Sequence, residues 1–147
     1  MSVTLVTADG TYAAQWMRLR EAVYSGIDAA FHQQEIESFL VDETKACFLA
    51  VASSGQPCGM VEVSLRNVVD GCLTSPVGYV EGIFVDPDQR GTGVARQLLE
   101  QAESWCRSQG CTEIATDAEL DNHAAQQFHV RMGFQETYRV VEYRKSL

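Results

Sequence analysis

The run Val85-Asp86-Pro87-Asp88-Gln89-Arg90-Gly91-Thr92-Gly93-Val94-Ala95 carries the clearest chemical signal in the chain. An apolar strand ends, a loop with two glycines follows, and an amphipathic helix starts at once. Amide N–H groups at a helix start point outward without partners, and the helix dipole favours negative charge there. Glycine lets an anion approach the backbone closely, and Arg90 can add a charge-assisted bond. The same two glycines also suit a plain tight turn. The loop lacks the Gly-Lys-Ser/Thr ending of a Walker loop, and GxGxxG is incomplete, so neither nucleotide signature applies.

A second signal is acidic. Glu81 interrupts an apolar strand and is costly to bury unpaired. By alternation it shares a face with Tyr79, Ile83 and Val85, unless Gly82 makes a bulge. Asp117 closes the next parallel strand, at the end where open α/β sheets bind ligands. Two carboxylates can hold a cation or accept a proton. The alternatives are a salt bridge for Glu81 and a turn cap for Asp117.

Positioning these groups requires a layered fold. Periodicity predicts a strand at 3–6, helices at 11–25 (capped by Asp9) and 31–42, and strands at 46–52 and 58–66 joined by a turn at 53–56. Along 58–66, Met60, Glu62 and Ser64 alternate against Val61, Val63 and Leu65. In the first helix Ala13, Trp16, Met17, Ala22 and Val23 point inward; in the second, Ile36, Phe39 and Leu40. A strand at 79–86 precedes the clearest helix, with Ala95, Leu98, Leu99, Ala102, Trp105 and Cys106 on one stripe. A strand at 112–117, a helix at 122–132 and a last strand at 134–144 complete the order. This is an α/β chain: one domain over 1–147, a mixed and mostly antiparallel sheet, and about four helices on both faces.

Composition narrows the partners. The 147 residues carry 11 Lys+Arg against 20 Asp+Glu, net −9. That balance excludes a nucleic-acid backbone and disfavours an anionic membrane. It tolerates a cationic partner, and it serves solubility equally well. No apolar run is long enough to span a bilayer and no leader pattern opens the chain, so a cytoplasmic protein is expected. The cysteines, Cys47, Cys58, Cys72, Cys106 and Cys111, lack CxxC spacing and read as free thiols; His32, His123 and His129 are scattered, so no metal is expected.

Arg90-x-x-Gly93-x-Ala95 after an apolar strand resembles the acyl-CoA loop of the GNAT N-acetyltransferases. The run Asn122-x-x-Ala125-x-x-Phe128-His129-x-x-x-Gly133-Phe134 is similar to that family's second motif, at the family's usual separation. The likeness extends to one branch, the aminoglycoside 6′-N-acetyltransferases. It is carried by Trp16-x-x-Leu19-Arg20, by Asn67-x-x-Asp70-Gly71-Cys72-x-x-Ser75-Pro76-Val77, by Glu81-Gly82-Ile83-Phe84-Val85 and by the ending from Gly133 to Lys145.

The resemblance implies the GNAT fold and acetyl-CoA as co-substrate. The pantetheine arm would lie along Ile83, Phe84 and Val85. The pyrophosphate would sit on Arg90, Gly91, Thr92, Gly93, Val94, Ala95 and Arg96. Asn122 and His129 would meet the CoA arm; many relatives carry Tyr where this chain has His129. Glu81 and Asp117 would act on the acceptor amine, with Tyr24, Val68 and Tyr138 lining its pocket. No Cys is paired with His and Asp as an acyl-enzyme nucleophile requires, so direct transfer in a ternary complex is expected. A peptide N-terminus or polyamine as acceptor, or a non-catalytic acyl-CoA sensor, are the competing readings. The last strand, with Tyr138, Val140, Val141 and Tyr143, suggests a homodimer interface or an internal strand.

Overall fold

The computed structural model describes residues 2–147. Five strands form one sheet in the order β1-β2-β3-β4-β5: β1 (Val3–Thr7), β2 (Lys45–Ala52), β3 (Pro57–Arg66), β4 (Val77–Val85) and β5 (Ile114–Thr116). The first four pair antiparallel; β4 and β5 pair parallel, over Gly78 to Val80 against Ile114 to Thr116. The helices are α1 (Ala13–Val23), α2 (Ala29–Val41), α3 (Val94–Ser108) and α4 (His123–Arg131). The expected mixed, mostly antiparallel sheet with four helices is therefore present.

Alternation along β3 divides the core. Val61 and Val63 face α3, where Leu98, Leu99, Ala102 and Cys106 bury the stripe read from the sequence. Met60 faces the other way, into a cluster with Trp16, Leu19 and Ile36 of α1 and α2. Leu98 is fully buried, and truncating such a side chain to Ala costs about 2–5 kcal/mol.

The inward faces of α1 and α2 differ from expectation. Ala22 is exposed and Leu40 is 45% exposed, whereas Leu19, Arg20 and His32 are buried. Polar residues occupy helical core positions because a buried carboxylate lies beneath them. Asp9 does cap, but it caps a 3-10 turn at Gly10–Tyr12, so α1 starts two residues later than expected.

Two differences matter more. Glu62 pairs with Gly82 and Val63 with Val80, which leaves Glu81 as the extra residue of a β-bulge. The bulge reverses alternation. Tyr79 shares the face of Glu81, but Ile83 and Val85 turn to the α3 side and Phe84 takes their place. The second is the chain end. The expected strand at 134–144 is absent: residues 134–147 belong to no helix or strand. Tyr138, Val140, Val141 and Tyr143 are 66–91% exposed. An alternating apolar pattern becomes a strand only where it pairs with an edge, and this segment pairs with neither edge strand, β1 or β5.

Candidate active site

Past the Val80–Thr116 pair, β5 stops while β4 runs on to Val85, still paired with β3 but unpaired on its other edge. Glu81 and Asp117 are the next residues on the two strands. Ser64 donates to Glu81 Oε2. Arg66 grips the same carboxylate, with Nη2 at 2.8 Å from Oε1 and 3.1 Å from Oε2, and Nε at 3.2 Å from Oε2. The guanidinium carbon lies 3.5 Å from the Tyr79 ring centroid, and the Tyr79 hydroxyl donates to Asp117 Oδ2 at 2.5 Å. The two acids are thus joined through Arg66 and Tyr79. Burial, and then the bond to Asp117, push the Tyr79 phenol above its ordinary value of 10, so it remains a donor at neutral pH.

This chain of contacts separates two concavities. An open groove of about 1780 Å³ is lined by Arg66, Val68, Tyr79, Asp117, His129 and Tyr138 among others. A recess of about 330 Å³ is lined by Tyr24, Phe31, Glu62, Ser64 and Glu81 among others. Of the expected acceptor-lining residues, Val68, Asp117 and Tyr138 therefore fall in the groove, while Tyr24 and Glu81 fall in the recess. Val68 is 81% exposed.

Tyr24 is held from behind. Its hydroxyl donates to Glu62 Oε1 at 2.9 Å. Glu62 also accepts from Trp16 Nε1 at 2.8 Å and from Arg20 Nη1 at 2.6 Å, and Arg20 Nε donates to His32 Nδ1. A neutral His32 then carries its proton on Nε2, which finds no partner among the described residues. Burial first, then the charge of Glu62, push the Tyr24 phenol up. Its ring end lies against Gly82: a Cβ there would stand 2.1 Å from the Tyr24 hydroxyl oxygen. Glycine follows Glu81 because a tyrosine occupies the space a side chain would need.

The loop before α3 has the features an anion site requires. Gly91 and Gly93 adopt φ of +78° and +86°, the left-handed region that favours glycine. A Cβ at either would meet nothing within 4 Å, so the requirement is conformational. Gly91, Thr92, Gly93 and Arg96 are exposed, and Gly93 begins α3 without a capping side chain. Val94 is buried and Ala95 half-buried, so their contribution is backbone alone. Arg90 departs from the simplest picture: its Nε donates to the Val85 carbonyl at 3.0 Å, tying the loop to the end of β4.

Asn122 caps α4, its side chain accepting from the Ala125 amide at 3.1 Å. Its carbonyl oxygen is thereby engaged. His129 sits between Phe128 and Phe134, with ring centroids at 5.7 and 5.6 Å. Burial lowers its imidazole below the ordinary 6.5, the Asp117 charge and backbone opposing. His129 is therefore mainly neutral at pH 7. Among the described residues no three His, Cys, Asp or Glu gather as a metal site, and no helix is long and apolar enough to cross a membrane.

The model of the acetyltransferase (GNAT) family matches residues 12–134. The chain belongs to the GNAT acetyltransferase family. Within it, the chain is 42% identical over 133 residues to an aminoglycoside N(6′)-acetyltransferase type 1 of Acinetobacter haemolyticus, covering 90% of each. It is 40% identical over 135 residues to the enzyme of that name from Acinetobacter genomosp. 13, covering 91% of this chain and 92% of that one. Among solved structures, AAC(6′)-Iy in complex with the bisubstrate analogue CoA-S-monomethyl-acetylneamine superposes with a TM-score of 0.94 at 35% identity, with full coverage of both chains. AAC(6′)-Ig from A. haemolyticus, without ligand, gives 0.92 at 39% identity, covering 98% of this chain and 99% of that one.

Ser64, Arg66 and Tyr79, to which the sequence pattern assigned no role, stand against the two acids in the structure. The signal was present in both strands: alternation puts Ser64 and Arg66 on the same face of β3 as Glu62, and Tyr79 on the same face of β4 as Glu81.

Proposed function

We propose that this GNAT protein transfers an acetyl group from acetyl-CoA to the 6′-amine of an aminoglycoside, and so confers resistance. The carrying observation is the pair Glu81 and Asp117 at the point where β4 parts from β5. The relatives named above point to the same acceptor. Residues 81–85 have one edge free past the last paired rung, which suits an extended amide-bearing arm laid along Ile83, Phe84 and Val85. That edge leads to the exposed glycine loop and uncapped start of α3, which suit a pyrophosphate. Arg96 offers a charge there, and the free amide N–H₂ of Asn122, at the head of α4, a further donor.

Acetyl-CoA supplies an activated acyl group. The protein's task is to hold the amine and remove its protons. An ammonium (about 10.4 for a lysine) is mostly protonated at pH 7 and cannot attack. Glu81 and Asp117 offer carboxylates for the cation and a route for the proton, a contribution of about 10²–10⁴ in rate. Tyr24 and Val68 border the acceptor from the two concavities, with Tyr138 at the outer wall. Neutral His129 lines the groove as packing.

Residues 1–147 work as one domain in this reading, in the cytoplasm, where acetyl-CoA is made. The functional unit is a homodimer. Its support is the exposed apolar row Tyr138, Val140, Val141 and Tyr143, a strand pattern that lacks a strand partner in its own chain. A monomeric mass by light scattering at micromolar concentration would overturn the dimer.

The test of the reaction is release of CoA thiol from acetyl-CoA with kanamycin or tobramycin. Turnover is expected. Absence of thiol release with every 6′-amino compound, or turnover with peptides or polyamines alone, would overturn it.

A further inference from the structure

We propose that Arg66 is an internal stand-in for the acceptor's ammonium: it holds Glu81 in the free enzyme, yields it to the incoming amine, and reclaims it after transfer. The inference rests on the aminoglycoside reading above, since it needs a cationic acceptor. What carries it is the occupancy of Glu81. The carboxylate is already engaged: Oε2 accepts from Ser64 and twice from Arg66, and Oε1 accepts from Arg66 Nη2 at 2.8 Å. A cationic amine that docks on Glu81 competes with these donors for the same two oxygens. Ser64 is buried on β3; Arg66 is the last residue of that strand and its side chain is 43% exposed. Arg66 is the donor able to leave.

It also has a place to go. The guanidinium lies over the Tyr79 ring, beside the open groove that Val68 and Asp117 line. A rotation about its outer torsions keeps the cation on the aromatic face and moves it towards Asp117, while Glu81 is freed. Exposure matters to the exchange. A half-exposed ion pair is weak and can be traded for another cation, whereas the buried Arg20–Glu62 pair cannot.

The chemistry gives the exchange a direction. Overall, R–NH₃⁺ and CH₃CO–S–CoA give R–NH–CO–CH₃, HS–CoA and H⁺. The N–C bond forms and the C–S bond breaks; one proton leaves to solvent by way of a carboxylate and a second ends on sulfur. The acceptor arrives with a charge that competes with Arg66 and departs without it. Arg66 then recaptures Glu81 against a neutral amide, which clears the site for the next turnover.

The test compares wild type with Arg66→Gln and Arg66→Lys by calorimetric titration of tobramycin and of its 6′-acetylated product, with turnover read in parallel. Loss of the competitor in R66Q is expected to tighten tobramycin binding by about fivefold and to strengthen product inhibition similarly, the worth of one exposed ion pair. R66K, which keeps a cation but loses the guanidinium fork, is expected to fall between wild type and R66Q. In the wild-type protein the Arg66 Nε–H resonance is expected to shift on adding tobramycin, a readout that holds even if R66Q fails to fold. Turnover in wild type with unchanged or weaker tobramycin binding in R66Q, or an unmoved Arg66 resonance, overturns the exchange. Absence of turnover with every 6′-amine overturns the aminoglycoside reading and the exchange with it.

Discussion

Two arginine–glutamate pairs stand on the same face of the same sheet, and they do opposite work. Glu62 and Arg20 have side chains 1% and 5% exposed; the carboxylate also takes bonds from Trp16 and Tyr24. Glu81 and Arg66 are 30% and 43% exposed. A buried pair is locked, because separating it strands a charge in a low-dielectric interior. An exposed pair is worth little to stability, since solvent takes up whatever is released. The first is therefore scaffold and the second is available for chemistry. Burial, set by the α1 and α2 cover over Glu62 and the bulge at Glu81, decides between them.

Swapping the insult between the two pairs tests that division. Glu81→Gln is expected to cut kcat/KM by about 10²–10⁴ in the CoA-thiol assay, while urea denaturation shows a change under about 1 kcal/mol. Glu62→Gln inverts the pattern: a loss of about 3–5 kcal/mol in the urea experiment, because Arg20 is left buried and unpaired. Comparable stability losses from both would break the comparison.

A smaller effect joins the two regions. Gly82→Ala places a methyl group 2.1 Å from the Tyr24 hydroxyl oxygen, which Glu62 holds in place. It should cost about 1–3 kcal/mol by thermal melting, and Tyr24→Phe in the same chain should recover part of it by removing that oxygen. No recovery would mean that the strain falls on the strand itself.

The smallest expected effect is a pH dependence. His129 has its folded-state pKa below 6.5, so as pH falls through 6.5 the unfolded chain binds the proton first. Stability is unaffected above that window and declines below it. His129→Gln should flatten this part of the stability profile relative to wild type, measured by denaturant titration across the window. An unchanged slope would place the acid sensitivity elsewhere.

Much of this was legible in the sequence. The alternation of β3 and the stripe of α3 follow from period alone, and both are as expected. The glycine loop was readable because Gly91 and Gly93 need a backbone that other residues rarely adopt. Glu81 stood out as a charge among apolar neighbours. Glu62, equally placed in an apolar strand, did not, because nothing local says that Arg20 and Trp16, 42 and 46 residues away, will cover it. The bulge depends on register with β3, and register is a property of two strands. The segment after Phe134 carries a strand pattern but joins neither edge of the sheet, because pairing depends on a second strand and not on the segment's own alternation.

The most direct measurement uses a matched pair of aminoglycosides that differ only in carrying an amine or a hydroxyl at the 6′ position. With acetyl-CoA and the wild-type protein, the amine should release CoA thiol and gain one acetyl group on its 6′-nitrogen, seen by mass spectrometry and NMR, and the hydroxyl compound should do neither. Equal acetylation of the two at another position, or thiol release with neither, would contradict the account.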